Sequence, residues 1–248
     1  MDKKNVLKAV IILSIIGILT SLYLIQNHYA PPSQGALCDL SESVSCSLVN
    51  TSVYSVLFNV PVALFGALWF VILILLSWKA MKKDGALITM MLGWNIVGLL
   101  FVVYLVIAEI ILQSICPFCT LVHLIVITTL IISILLYRKE ATPSRAELYK
   151  VARKWLPGII ILFALPLVLF NLPSSEKVNY DALAQCMNEN GVFMYGSFRC
   201  GVCARTRAMF GDSFQYIREV ECHPQGENSQ TALCIQKGIK GTPTWAME

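Results

Sequence analysis

Five stretches of this chain are apolar for long enough to cross a lipid bilayer, which constrains its architecture more than any other feature. At a rise of 1.5 Å per residue, about 20 apolar residues span the hydrocarbon core. The stretches cover residues 6–25, 61–78, 86–112, 117–137 and 156–170, the last interrupted by Pro166. With 56% hydrophobic and only 14% charged residues, the composition does not suit a soluble surface. Lys3, Lys4 and Lys8 ahead of the first stretch also fit a signal peptide. No small-residue cleavage site follows, however, and removal would leave four spans, so the expected count is five.

Lysine and arginine placement predicts the orientation, because short basic loops stay in the cytoplasm. Lys3, Lys4 and Lys8 precede the first span, Lys79, Lys82 and Lys83 follow the second, and Arg138, Lys139, Arg145, Lys150, Arg153 and Lys154 follow the fourth. Segments 27–59 and 113–119 contain no Lys or Arg. The N-terminus is therefore expected in the cytoplasm and the C-terminal tail outside an inner (cytoplasmic) membrane. Topology accounts for the net charge of +4, and nucleic acid is not an expected partner.

This topology puts all nine cysteines outside, or at the outer edge of a span, where disulfides persist. Cys38 and Cys46 lie in the first external loop, Cys116 and Cys119 at the mouth of the fourth span, and Cys186, Cys200, Cys203, Cys222 and Cys234 in the tail. Four pairs leave one thiol over, and Cys186, on an expected helix at 180–190, reads as a buried small hydrophobe. Cys222 and Cys234 have eleven residues between them and read as a structural disulfide joining a strand end to a helix. The two C-x-x-C pairs also have zinc-site spacing. One faces an apolar bundle, the other follows a strand, and the compartment oxidises thiols, so no metal is expected. A purely structural disulfide at Cys200 and Cys203 would close too small a loop to remove much chain entropy.

The tail has the pattern of a small α/β domain. Residues 192–195 read as a strand, 196–199 as a turn, 200–210 as a helix closed by Gly211, 214–220 as a second strand and 230–237 as a helix ending at Gly238; Gly241-Thr242-Pro243-Thr244 follows. A thiol at a helix N-terminus is held toward thiolate by the free amides there, and Arg199 is expected to act in the same direction. The tail resembles a thioredoxin-type domain, and the resemblance implies a cis proline at Pro243 beside the dithiol. The chain stops after Trp245-Ala246-Met247-Glu248, so the final hairpin and helix of such a fold are expected to be missing and the domain truncated. The dipeptide Gly201-Val202 lacks the histidine common in strong thiol oxidants, so the resemblance does not set a reduction potential.

The ordered combination is more specific than any of its parts. Cys38 and Cys46 have seven residues between them, Thr51 and Ser52 follow, Pro61-Val62-Ala63-Leu64-Phe65-Gly66 opens a span, and Cys116-Pro117-Phe118-Cys119 starts the fourth. Over nearly its whole length the chain resembles bacterial-type vitamin K epoxide reductase homologues fused to a thioredoxin-like domain. The resemblance implies a mainly α membrane protein. Its four-helix bundle (1–140) would surround a quinone, ubiquinone or menaquinone or a relative, under an external half-helix near residues 52–59. A linker and fifth, tethering helix (141–176) would carry an external thioredoxin-like domain (177–248).

It also implies a relay. Reduced exported proteins would give electrons to Cys200 and Cys203, Cys200 would attack Cys38, Cys46 would exchange with Cys116, and Cys119, the deeper of its pair, would serve the quinone. Quinone contacts are implied for Cys119, His123, Asn59 and Phe65. His123, one turn beyond Cys119, reads equally as an interhelical hydrogen-bonding residue, and Asn59 as a helix cap. Glu109, in an apolar span, reads either as functional or as a helix tether. An alternative function, a conduit exporting reducing equivalents, would need cysteines on the cytoplasmic side, and the assigned topology has none there. A membrane-tethered chaperone or anchor would leave both membrane-side cysteine pairs without a purpose.

Overall fold

Five long helices carry the apolar stretches in the computed structural model, which describes residues 2–29, 37–40, 44–82, 85–140, 143–172 and 179–247. Lys83 and the expected domain junctions at 141 and 177 lie outside the described residues. Helix α1 (Lys3–Tyr29) is followed by short α2 (Cys46–Thr51), a 3-10 turn at Val53–Ser55 and a hairpin of β1 (Val56–Leu57) and β2 (Val60–Pro61). Then come α3 (Val62–Ala80), α4 (Gly85–Leu112), α5 (Pro117–Tyr137) and α6 (Arg145–Asn171). The expected half-helix at 52–59 is thus corrected. The helical piece lies earlier, at α2, and Phe58 and Asn59 have φ of 51° and 62°, the left-handed pair that a two-residue hairpin turn requires.

The fifth helix starts eleven residues before the expected 156. Ser144 and Glu147 form a reciprocal capping box, with Ser144 Oγ accepting from the Glu147 amide and Glu147 Oε2 accepting from the Ser144 amide. The charged first turns hid this part of α6 from a search for apolar runs. Pro157 and Pro166 lie inside the helix without ending it.

The chain divides into two units, one built on α1 to α6 and the other on Thr51–Ser55 together with the residues after 172. In the first, α1 packs along α3 and α5, α4 packs on α3 and α5, and α6 adds to α3 and α4. Small residues permit the close approaches that membrane helices use in place of a hydrophobic driving force. A Cβ at Gly17 of α1 would overlap the Phe70 ring of α3. Trp69 and Trp94 bind α3 to α4 reciprocally, each indole Nε1 donating to the other's carbonyl at 3.1 Å. Buried Asn95 joins α4 to α5 by donating to Ser133 Oγ at 3.1 Å and accepting from Thr129 Oγ1 at 2.8 Å. Lys3 pairs with Glu140 at 2.7 Å, so the start of α1 and the end of α5 share one end of the unit. Gly17→Leu is expected to force α1 from α3 and cost about 1–3 kcal/mol, read as a lower unfolding temperature of the purified chain in detergent.

The second unit contains α7 (Asp181–Glu189), β3 (Val192–Gly196), α8 (Gly201–Phe210), a 3-10 turn at Gly211–Tyr216, β4 (Arg218–Glu221), α9 (Thr231–Gln236) and β5 (Thr244–Met247). Its sheet has the order β4-β3-β5, with β3 parallel to β4 and antiparallel to β5. Strand alternation splits the core. Met194 joins Ala184, Cys203, Phe210 and Ile217, whereas Tyr195 joins Val220 and Cys234. The expected strand at 214–220 is shortened to β4 because residues up to Tyr216 form the 3-10 turn, which packs on α7. Thr242-Pro243 is cis, as expected, and Cys222 is disulfide-bonded to Cys234 with a Cα separation of 5.7 Å.

Candidate functional site

The first unit brings a closed cysteine pair beside an open one. Cys38 and Cys46 form a disulfide with Cα atoms 5.6 Å apart, and both residues are buried. Asp39 holds the turn into α2 through one carboxylate oxygen, accepting from Ser45 Oγ at 2.8 Å and from the Ser47 amide at 2.9 Å. The next contact reaches across to the second pair. Val44 pairs in parallel with Ile115, and the Ser45 amide donates to the Ile115 carbonyl at 3.1 Å. Cys46 and Cys116 therefore sit one residue beyond two hydrogen-bonded neighbours.

Cys116 and Cys119 are free thiols. Cys116 is the N-cap of α5, with Pro117 at the first helical position where its missing amide costs nothing. Its Sγ accepts from the Cys119 amide at 3.1 Å. Glu109, on the last turn of α4 and 8% exposed, completes the cluster. One of its carboxylate oxygens accepts from the Cys116 amide at 3.2 Å, and ligand atoms of Glu109, Cys116 and Cys119 all lie within 4.8 Å of one another.

A groove of about 600 Å³ opens between α4 and α5, lined mainly by apolar side chains and by Glu109, Gln113, Ser114, Thr120 and His123. Two of its polar atoms, Ser114 Oγ and His123 Nε2, are buried and have no hydrogen-bond partner in the protein. The interhelical hydrogen bond weighed for His123 is therefore not made through Nε2. Cys119 does not line the groove, and neither do the other two residues expected at a quinone. Asn59 is a hairpin-turn residue, not a helix cap, and donates to Asn171 Oδ1 at 2.8 Å. Phe65 stacks on Phe163 of α6 with ring centroids 5.9 Å apart. Ser114 was missed by the sequence reading, since a lone serine between two spans carries no pattern.

In the second unit, β3 leads into Cys200, the N-cap of α8. Glu221 pins the intervening turn by accepting from the Phe198 amide at 2.8 Å. Cys200 Sγ accepts from the Cys203 amide at 3.1 Å and lies 3.3 Å from the carbonyl of Thr242, the residue before the cis proline. The hydrogen bond from the Cys203 thiol, helped by backbone amides at the helix start, outweighs burial and holds the Cys200 thiol down at about 6. The same bond, together with burial, pushes the Cys203 thiol far up. The Arg199 guanidinium lies over the Phe198 ring and donates to Gln225, and the largest lowering at Cys200 comes from the Cys203 thiol. Arg207 and Glu219 form a two-pronged ion pair between α8 and β4. Cys186, expected to be buried, is exposed on α7.

Comparison with known proteins agrees with the membrane unit. The model of the vitamin K epoxide reductase family matches residues 8–134, and the chain belongs to that family. The thiol-disulfide oxidoreductase LTO1 of Arabidopsis thaliana is 35% identical over 85 residues, which cover 33% of this chain and 23% of the relative. The matched region thus spans less than a quarter of that protein.

Proposed function

We propose that this member of the vitamin K epoxide reductase family is a membrane thiol oxidoreductase that generates disulfides in exported proteins and passes the electrons to a membrane quinone. The observation that carries the reading is the pairing of Val44 with Ile115, which sets the closed Cys38–Cys46 pair beside the open Cys116/Cys119 pair. Thiol-disulfide exchange needs a thiolate next to a disulfide sulfur, and this contact supplies that neighbourhood.

The second unit, with its strand, helix-capping dithiol and cis proline, acts as a thioredoxin-like partner. Its Cys200–Cys203 disulfide takes two electrons from a client dithiol, and a new disulfide closes in the client. Cys200 then attacks Cys38, Cys203 resolves the mixed disulfide, and Cys46 leaves as a thiol. Cys46 attacks Cys116 of the helix-mouth disulfide, and Cys38 closes back on Cys46 to release Cys116 and Cys119 as thiols.

The groove fits a quinone headgroup, because an apolar trough with two orphaned buried polar atoms, Ser114 Oγ and His123 Nε2, suits a flat ring with two carbonyl oxygens. A quinone bound there would accept two electrons and two protons as Cys116 and Cys119 close. Asn59 and Phe65, held against α6, are assigned turn and packing roles instead. The basic segments support an N-terminus in the cytoplasm and a dithiol unit outside.

The test is a trap in the full chain. Cys203→Ala removes the resolving thiol and is expected to accumulate a Cys200–Cys38 mixed disulfide, identified by mass spectrometry of alkylated membranes. A Cys200–Cys116 linkage in its place would remove the loop pair from the relay.

A further inference from the structure

Glu109 belongs to both halves of the membrane site. Its carboxylate lies within 4.8 Å of the Cys116 and Cys119 sulfurs, and it also lines the groove shared by Ser114 and His123, whereas neither cysteine lines that groove. Closing a dithiol into a disulfide releases two protons with its two electrons. A pair enclosed between α4 and α5 needs a group that can receive those protons and deliver them elsewhere. Cys116 is fully buried, so bulk water does not reach that thiol. A carboxylate also carries a high cost in this setting unless it is used or paired. Among the described residues Glu109 forms no salt bridge, and its carboxylate accepts a hydrogen bond from the Cys116 amide.

We propose that Glu109 is the proton-transfer residue of the helix-mouth dithiol, moving protons between the two thiols and the groove. The inference rests on the relay proposed above for the direction of transfer. As one thiol loses its proton, an S–H bond breaks and an O–H bond forms on Glu109. Glu109 passes this proton to a quinone oxygen in the groove, returns to the carboxylate and takes the proton of the second thiol. The S–S bond then closes as the electron pair passes to the quinone, and Glu109 gives the second proton to the other quinone oxygen. Two thiols and one quinone thus give one disulfide and one quinol, with every proton accounted for. The titratable groups that face Glu109 from α5 and its N-cap are Cys116 and Cys119, and His123 of α5 shares the groove.

Glu109→Gln separates this role from a structural one, because the glutamine carbonyl still accepts the Cys116 amide bond while the side chain can no longer take a proton. In the purified full chain, quinone reduction from a pre-reduced helix-mouth pair is expected to fall about 100-fold in Glu109→Gln, the lower end of what general acid–base groups contribute. Glu109→Asp should recover part of the loss. A second readout needs no quinone. In the fully reduced protein, the pH profile of Cys119 alkylation, followed by mass spectrometry, should shift when the neighbouring carboxylate becomes an amide. Glu109→Gln matching wild type in both rate and alkylation profile, with Glu109→Ala defective, would make the residue a tether and overturn the inference. Failure of the wild-type chain to reduce any quinone would instead sink the proposed relay, and the alkylation profile would still decide whether Glu109 is coupled to the thiols.

Discussion

Cys119→Ala is expected to reduce quinone turnover by the full chain to the level of a variant lacking all cysteines, while exchange between Cys200 and Cys38 continues. In the proposed relay the acceptor is reduced by a thiol pair that closes within reach of the groove. Among the described residues the free thiols of the first unit are Cys116 and Cys119. With Cys119 gone, Cys116 can still attack the Cys38–Cys46 disulfide and form a mixed disulfide, but it cannot close an internal bond and release two electrons. Exchange at Cys38 depends on Cys200 and Cys203 and does not use α5. The measurement is quinol formation by absorbance alongside the redox state of each pair by differential alkylation. Full turnover in Cys119→Ala would remove the proposed acceptor pair. Loss of Cys200–Cys38 exchange as well would show a misfolded protein, which the unfolding temperature checks independently.

What was legible in the sequence was local. A run of about 20 apolar residues needs no tertiary knowledge to read as a helix, and four of the five spans lie close to where composition put them. Cys116 before Pro117 announces a helix start, and Gly211 and Gly238, with φ of 55° and 68°, end their helices as a side-chain-free residue allows. The errors arose where long-range partners decide. Residues 145–155 are too charged for an apolar search, although Ser144 and Glu147 carried a capping signature that was overlooked. Asn59 lies in a left-handed turn whose amide reaches Asn171, over a hundred positions away. The groove is the clearest case. Glu109, Ser114 and His123 come from two helices and their connection, and no sequence spacing reveals that Ser114 Oγ and His123 Nε2 are left without partners.

The Cys200/Cys203 dithiol carries the other large effect, which is a pH dependence. In reduced protein, alkylation of Cys200 is expected to follow a titration centred near 6, so that roughly nine in ten molecules carry the thiolate at pH 7, against a few per cent for an ordinary thiol near 8.5. A lowered folded-state value stabilises the folded reduced domain, with the effect complete above the ordinary thiol range and lost as the pH falls through about 6. Stabilising the reduced form makes the Cys200–Cys203 disulfide a stronger oxidant, the direction needed to take electrons from a client. Cys203, pushed far up, keeps its proton throughout. The reduced pair therefore holds two protons below pH 6 and one above, and a two-electron potential should change slope from about 59 to about 30 mV per pH unit at that point. Cys203→Ala deletes the largest cause of the lowering and is expected to move the Cys200 alkylation midpoint upward. A wild-type midpoint at 8.5, or a potential with an unbroken slope through pH 6, would show that Cys203 and the helix amides do not hold the Cys200 thiolate.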